Sequence, residues 1–237
     1  MRKKTVIAFI ILIFALLVLS ASAKAGFGAT GEWIEVNLLT ISTKAKQEKY
    51  LEYANRRVAE ISVLANKEAS EKNLRTVLNG YRNAIFKACD MAEKIIFLDG
   101  AEIGLAEDVE NATRLHEQVL SELLAKAPAK IRPVLSGALS ISRIENEEIF
   151  TYMVEKYQIT DQDVEKHQKI VDRHLEIVER AHADYQKLLE GKTDQEIKKL
   201  LAEVQKSQKA GLALPAYQKL QAAKNLIYAK LAAGGVL

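Results

Sequence analysis

From Tyr50 almost to the C-terminus apolar residues recur at three- and four-residue spacing, and very little interrupts them. Tyr50, Ala54, Arg57/Val58, Ile61 and Leu64/Ala65 lie on one helical face; Leu74, Val77/Leu78, Tyr81, Ile85, Ala88, Ala92 and Ile95/Ile96 repeat the pattern. Only 3 prolines and 11 glycines punctuate 237 residues, which favours long helices over short strands. No period-two segment of strand length stands outside a helical pattern. The sequence predicts an all-α fold, an antiparallel helical bundle with a C-terminal coiled-coil-like helical extension.

The stops and starts divide it. Asp99-Gly100 ends the second helix, a third runs from about Ala106 to Lys126, and a fourth from Pro133 to Tyr157, with Leu135, Leu139, Ile144 and Ile149 inward. Thr160-Asp161-Gln162-Asp163 opens a fifth that ends at Gly191. Thr193-Asp194-Gln195-Glu196 reads as a capping box for a sixth, and Pro215 opens a seventh. Residues 42–157 then form a four-helix unit and 158–237 the extension.

The N-terminus has the three parts of a secretory signal: basic Arg2, Lys3 and Lys4, the apolar run Val6–Leu19, and the small residues Ala21, Ser22 and Ala23. Residues 1–23 are expected to be a signal peptide, or an uncleaved anchor over 6–23, followed by a linker over 24–41. The chain is expected outside the cytoplasm, secreted or in the cell envelope. Gly26–Gly31 matches G-x-G-x-x-G by letter, but no strand precedes it, so it has no dinucleotide meaning.

The formal charge of +3 disappears with Arg2, Lys3 and Lys4, leaving 31 basic and 31 acidic side chains, without the footprint of a nucleic-acid binder. The single cysteine, Cys89, excludes an intramolecular disulfide and reads as a small buried hydrophobe. There is no G-x-S-x-G, H-E-x-x-H or Walker loop. Glu145, Glu147 and Glu148 read as a solvated face, and Asn111-Ala112-Thr113 is a glycosylation sequon by letter. No catalytic residue and no cofactor is expected.

Tyr53-Ala54-Asn55-Arg56-Arg57-Val58-Ala59-Glu60 precedes a helix with Leu78-x-x-Tyr81; His116-x-x-Val119-Leu120, Lys126-Ala127-Pro128 and Ala138-Leu139-x-x-Ser142 follow in order. Over roughly Lys46 to Phe150 this resembles an uncharacterised all-helical domain of unknown function found in exported or membrane-anchored prokaryotic proteins. Arg57-Val58, where that family more often has leucine, and Arg143, in place of a glycine, depart from the pattern. The resemblance implies an extracytoplasmic helical domain, lends no catalytic residues, and does not reach Thr160–Leu237.

Three of the four histidines, His167, His174 and His182, lie in one predicted helix. Seven residues separate the first two, about 10.5 Å of helix, so they cannot share one ion within it. On a heptad, Val164, Val171, Val178 and Tyr185 fall at a, and His167, His174, Ala181 and Leu188 at d, one seam facing the core or a partner. Around His174 every helical neighbour at three and four is apolar. Glu179 and His182 form E-x-x-H, but no second such motif exists for a di-iron centre.

Three readings stay open: satisfied core histidines; a metal- or haem-binding bundle using His167, His174, Glu179 and His182; and an acid sensor whose imidazoles bind protons less readily when folded. The leading expectation is a non-enzymatic interaction or sensor protein. Its partner would be another envelope protein, or a second copy, at the 164–188 seam. The last helix carries Tyr217, Leu220, Ala223, Ile227 and Leu231 on one stripe and only lysines as charges. It is expected to dock on the acidic middle of its own chain, with weak membrane-surface contact by 215–231 as the alternative.

Overall fold

A computed structural model describes residues 42–67, 70–99, 103–156, 161–188 and 194–233. Among the described residues there are seven helices and no strand: α1 (Thr43–Asn66), α2 (Glu71–Asp99), α3 (Ile103–Lys126), α4 (Arg132–Lys156), α5 (Asp161–Leu188), α6 (Gln195–Lys209) and α7 (Ala213–Ala232). The all-α expectation holds. The signal segment 1–23, the linker 24–41, Thr160 and Thr193 lie outside the described residues.

Local chemistry sets the boundaries. Ser42 caps α1, its side chain accepting from Ala45 N at 3.0 Å. The cap of α6 is Asp194, which accepts from the amides of Glu196 and Ile197. The capping box read in the sequence opens at Thr193, one residue earlier. Pro133 and Pro215 both sit in first turns, where the missing N–H costs nothing. Gly211 joins α6 to α7 at φ 73°, where a side chain would be strained.

Side-chain pairings give the directions. Lys87 lies over the Tyr50 ring, and a Cβ on Gly80 would stand 3.0 Å from Arg57 Nε, so α1 and α2 form a close antiparallel hairpin. Ser142 donates to Thr113 O and Asn146 to Glu110 O, which sets α4 antiparallel to α3. Lys219 meets Glu203 and Lys230 meets Asp194, setting α7 antiparallel to α6. α7 packs on α5, α4 and α3, and α5 packs on α3.

The buried residues form one core spanning the four-helix unit and the extension alike. Its inward residues match the periodic reading of α1 and α2: Tyr50, Ala54, Val58, Ile61, Ala65, Leu74, Tyr81, Ile85, Ala88 and Ala92 are buried. In α4 the reading fails at two adjacent positions. Ile144 is half exposed, while Glu145, expected in solvent with its neighbours, is buried and faces Cys89. The period of α4 is broken because its inward face carries Ser142 and Asn146, polar residues that α3 satisfies. The sequon at Asn111 lies in mid-helix, with Thr113 buried and Asn111 accepting from Arg114 and Arg173.

Candidate functional site

The third helix is apolar where Val109, Leu120 and Leu124 point inward, yet between them it buries Glu110, Thr113, His116 and Glu117. Burying such groups is costly unless each is paired. The pairs come from two directions, and they form two networks.

The first lies at the joint with the extension. His174 Nε2 stands 2.9 Å from Glu110 Oε1, and Lys224 Nζ stands 2.8 Å from His174 Nδ1. The ammonium can only donate, so Nδ1 accepts, Nε2 carries the hydrogen, and the imidazole is neutral. Lys224 also donates to Glu117 Oε2 at 2.8 Å, and Tyr228 donates to Glu117 Oε1 at 2.8 Å. Behind this line Tyr217 donates to Asn146 Oδ1, Asn146 donates to Thr113 Oγ1 at 2.7 Å, and the Tyr217 ring meets His174 edge-on. His174, Lys224, Glu117 and Tyr217 are each wholly buried, at 0% exposure.

The electrostatics follow from burial. Desolvation pushes Glu110 up to about 7, although Arg114 (Nε at 3.6 Å), Asn146, Arg173 and Lys224 pull the other way. Desolvation holds His174 well below its ordinary range, and the positive charges of Lys224 and Arg114 hold it lower still. Lys224 is itself depressed by burial, against the upward pull of Glu117.

The second network lies inside the four-helix unit. His116 Nε2 is 2.7 Å from Asn55 Oδ1, and Tyr81 OH is 3.3 Å from Nδ1. With Asn55 accepting, Nε2 carries the hydrogen and Tyr81 donates to Nδ1. The rings of Tyr81 and His116 meet edge to face. Desolvation lowers His116 to about 4. Asn55, Tyr81 and His116, three residues of the motif series read in sequence, thus meet in space.

The sequence-selected residues fall as follows. His174 is a satisfied core histidine. His167 is buried against the edge of Phe150, and neither ring nitrogen has a hydrogen-bond partner among the described residues. His182 is buried near Asp194 and Lys198, while Glu179 is exposed. His167, His174, Glu179 and His182 are not brought together, and no group of three or more His, Cys, Asp or Glu has metal-holding geometry among the described residues. A lysine ammonium occupies the open side of His174.

In the seam, Val171, His174, Val178, Ala181 and Tyr185 are buried within the chain, and Val164 is partly exposed; the side chain of Leu188 lies outside the described residues. The chain's own α7 and α3 cover the face that sequence assigned to a partner. The lysines of α7 are also engaged at home: Lys219 with Glu203, Lys230 with Asp194, Lys224 with Glu117. α7 is a core helix rather than a cationic surface helix, because its stripe is widened by Ala213, Ala216, Gln221 and Tyr228. Among the described residues no helix is long and apolar enough to cross a membrane.

Sequence reasoning missed Glu110, Glu117 and Lys224. The available signal was polar residues at apolar spacing: Glu110, Thr113 and Glu117 recur at three and four on the face that carries Leu120 and Leu124.

The fold and these networks define a helical bundle whose third helix is polar inward on two sides. Residues 29–130 match the family model described as Domain of unknown function (DUF5667). The match reaches through α1, α2 and α3 into the turn before α4. The resemblance read in sequence is to an uncharacterised domain of this kind, although the match starts earlier than Lys46 and stops short of the Ala138-Leu139-x-x-Ser142 helix. No curated protein and no solved structure matches the chain.

Proposed function

We propose that the protein is a non-enzymatic helical interaction or sensor module that works outside the cytoplasm, and that the signal it senses is acid. The observation that carries this is the sealed network at the joint. Its reactive groups, a histidine, a lysine and two carboxyls, touch each other and have no exposed surface for a substrate. A surface recess of about 450 Å³ is lined by Glu93, Ile144, Glu147, Glu148, Thr151, Tyr152 and Glu155 and holds no histidine, cysteine or serine. Polar groups closed to substrate still respond to protons, which reach them whenever the packing breathes.

The export reading rests on Arg2–Lys4, Val6–Leu19 and Ala21–Ala23. A partner, whether a second copy or another envelope protein, meets the α5 seam only when that helix leaves α7. The test of acid sensing is the melting temperature of the purified protein between pH 7.5 and 5. A fall on acidification supports it, and an unchanged value rejects it. N-terminal sequencing of the protein recovered from an extracytoplasmic fraction tests export; recovery only in the cytoplasm rejects it.

A further inference from the structure

The two networks differ in what their opening releases. Opening the four-helix unit frees one imidazole, His116. Unpacking α5 frees three: His174 from α3 and α7, His167 from Phe150 of α4 and Glu107 of α3, and His182 from the start of α6. Charged groups face each of these from every side. Asp163 and Lys166 of α5 and Glu107 of α3 surround His167. Around His174 stand Glu110, Arg114 and Glu117 of α3 and Lys224 and Tyr217 of α7, and its partners are faced in turn by Arg143 and Glu147 of α4, Arg173 of α5 and Tyr228 of α7. Asp194 and Lys198, at the start of α6, face His182.

His174 is the point at which charge and geometry collide. Its Nδ1 is filled by the Lys224 ammonium at 2.8 Å. A proton taken at Nδ1 breaks that hydrogen bond and sets two positive groups against each other in a site with no water access. Lys224 then has to leave, and it sits in the middle of α7, between Tyr217 and Tyr228.

We propose that α5 and α7 form an acid-released latch on α3, in which protonation of His174, joined by His167 and His182, expels Lys224 from between His174 and Glu117 and frees the C-terminal helices while α1 and α2 stay packed. This rests on the acid-sensing reading above and names the part of the molecule that responds. Burial lowers all three α5 histidines, so the open latch takes up protons below pH 6.5. Glu110 works against them. Held at about 7 when closed, it keeps a proton that it gives up on opening, which moderates release in mild acid.

The test is amide hydrogen exchange by mass spectrometry on the full chain at pH 7.5 and 5.0, corrected for the intrinsic pH dependence of exchange. With His116→Gln removing the acid response of the four-helix unit itself, peptides of α5 and α7 should lose about tenfold in protection at pH 5.0 while those of α1 and α2 change less than about threefold, and the wild type should show the same loss in α5 and α7. Glu110→Gln keeps an acceptor for His174 Nε2 but removes the opposing titration, so its α5 and α7 loss should exceed the wild-type loss by more than about tenfold. Lys224→Met with Glu117→Gln removes the ion pair together, lets His174 take a proton without displacing a cation, and should shrink the loss by at least about threefold. A loss shared evenly by all helices of His116→Gln, or either the Glu110 or the Lys224 variant following the wild-type profile, overturns the latch and leaves acid sensing standing. No pH-dependent loss anywhere overturns both.

Discussion

The two buried histidine networks share α3 and differ in what surrounds the imidazole. His116 lies between an amide oxygen and a phenol, Asn55 and Tyr81, with no charged partner. His174 lies between a carboxyl and an ammonium, Glu110 and Lys224. Both rings are buried, neutral and of the same tautomer, so both stabilise the fold only while unprotonated. The neutral network can lose a member to solvent at modest cost. The ionic one is less tolerant, because removing Lys224 or Glu117 leaves the other's charge buried and unpaired. The stretch that matches the family model contains the whole of the first network, whereas the second depends on the extension for His174, Lys224 and Tyr228.

The sharpest break in that comparison is Lys224→Met. It strands Glu117, and unfolding by denaturant should show a loss of about 3–5 kcal/mol. Adding Glu117→Gln should restore part of it; a double variant as unstable as the single would mean that packing, not charge, dominates the joint.

Next in size is pH. For His116 the folded value, about 4, is below the unfolded one, so its stabilisation is present above pH 6.5 and is lost as pH falls toward 4. At pH 5 that loss amounts to about 2 kcal/mol, measurable as the part of the acid destabilisation that His116→Gln abolishes. Glu110 has the opposite sign. Its folded value is raised to about 7, so its contribution is present below pH 4.5 and is lost as pH rises through 7. Glu110→Gln should therefore gain about 3 kcal/mol over the wild type at pH 8 and less than about 1 kcal/mol at pH 5. A uniform gain at both pH values would place its effect outside titration.

The smallest effect belongs to the neutral network. Asn55→Ala removes one acceptor from His116 at the edge of the core and should cost about 1 kcal/mol, equally at pH 7 and pH 8. A larger cost would mean that His116 is not served by water when Asn55 is gone.

Most of the fold was legible because helix periodicity is local. Val58, Ile61, Tyr81 and Ile85 needed nothing beyond their own neighbours to be placed inside. His174 was also placed correctly, since Ile170, Val171, Ile177 and Val178 surround it within one helix. Its partners were not legible: Glu110 is 64 residues away and Lys224 is 50 residues away, and no periodic pattern links helices across such distances. Lys224 read as an ordinary lysine on an amphipathic stripe for the same reason. The α5 seam faces inward from His167 to Tyr185, with Val164 exposed, but whether another chain or α7 covers it is a question of tertiary structure alone. Ile144 and Glu145 changed places because α4 fits its inward face to the polar residues of α3 rather than to an apolar stripe.

The joint holds His174 neutral between the Glu110 carboxyl and the Lys224 ammonium. A titration of the four imidazoles by nitrogen-edited NMR, assigned by His174→Gln, tests it most directly. The predicted result is a His174 ring in the Nε2–H form that does not titrate in the folded protein between pH 8 and pH 5. A His174 that titrates freely near pH 6.5, as an exposed imidazole does, would contradict it.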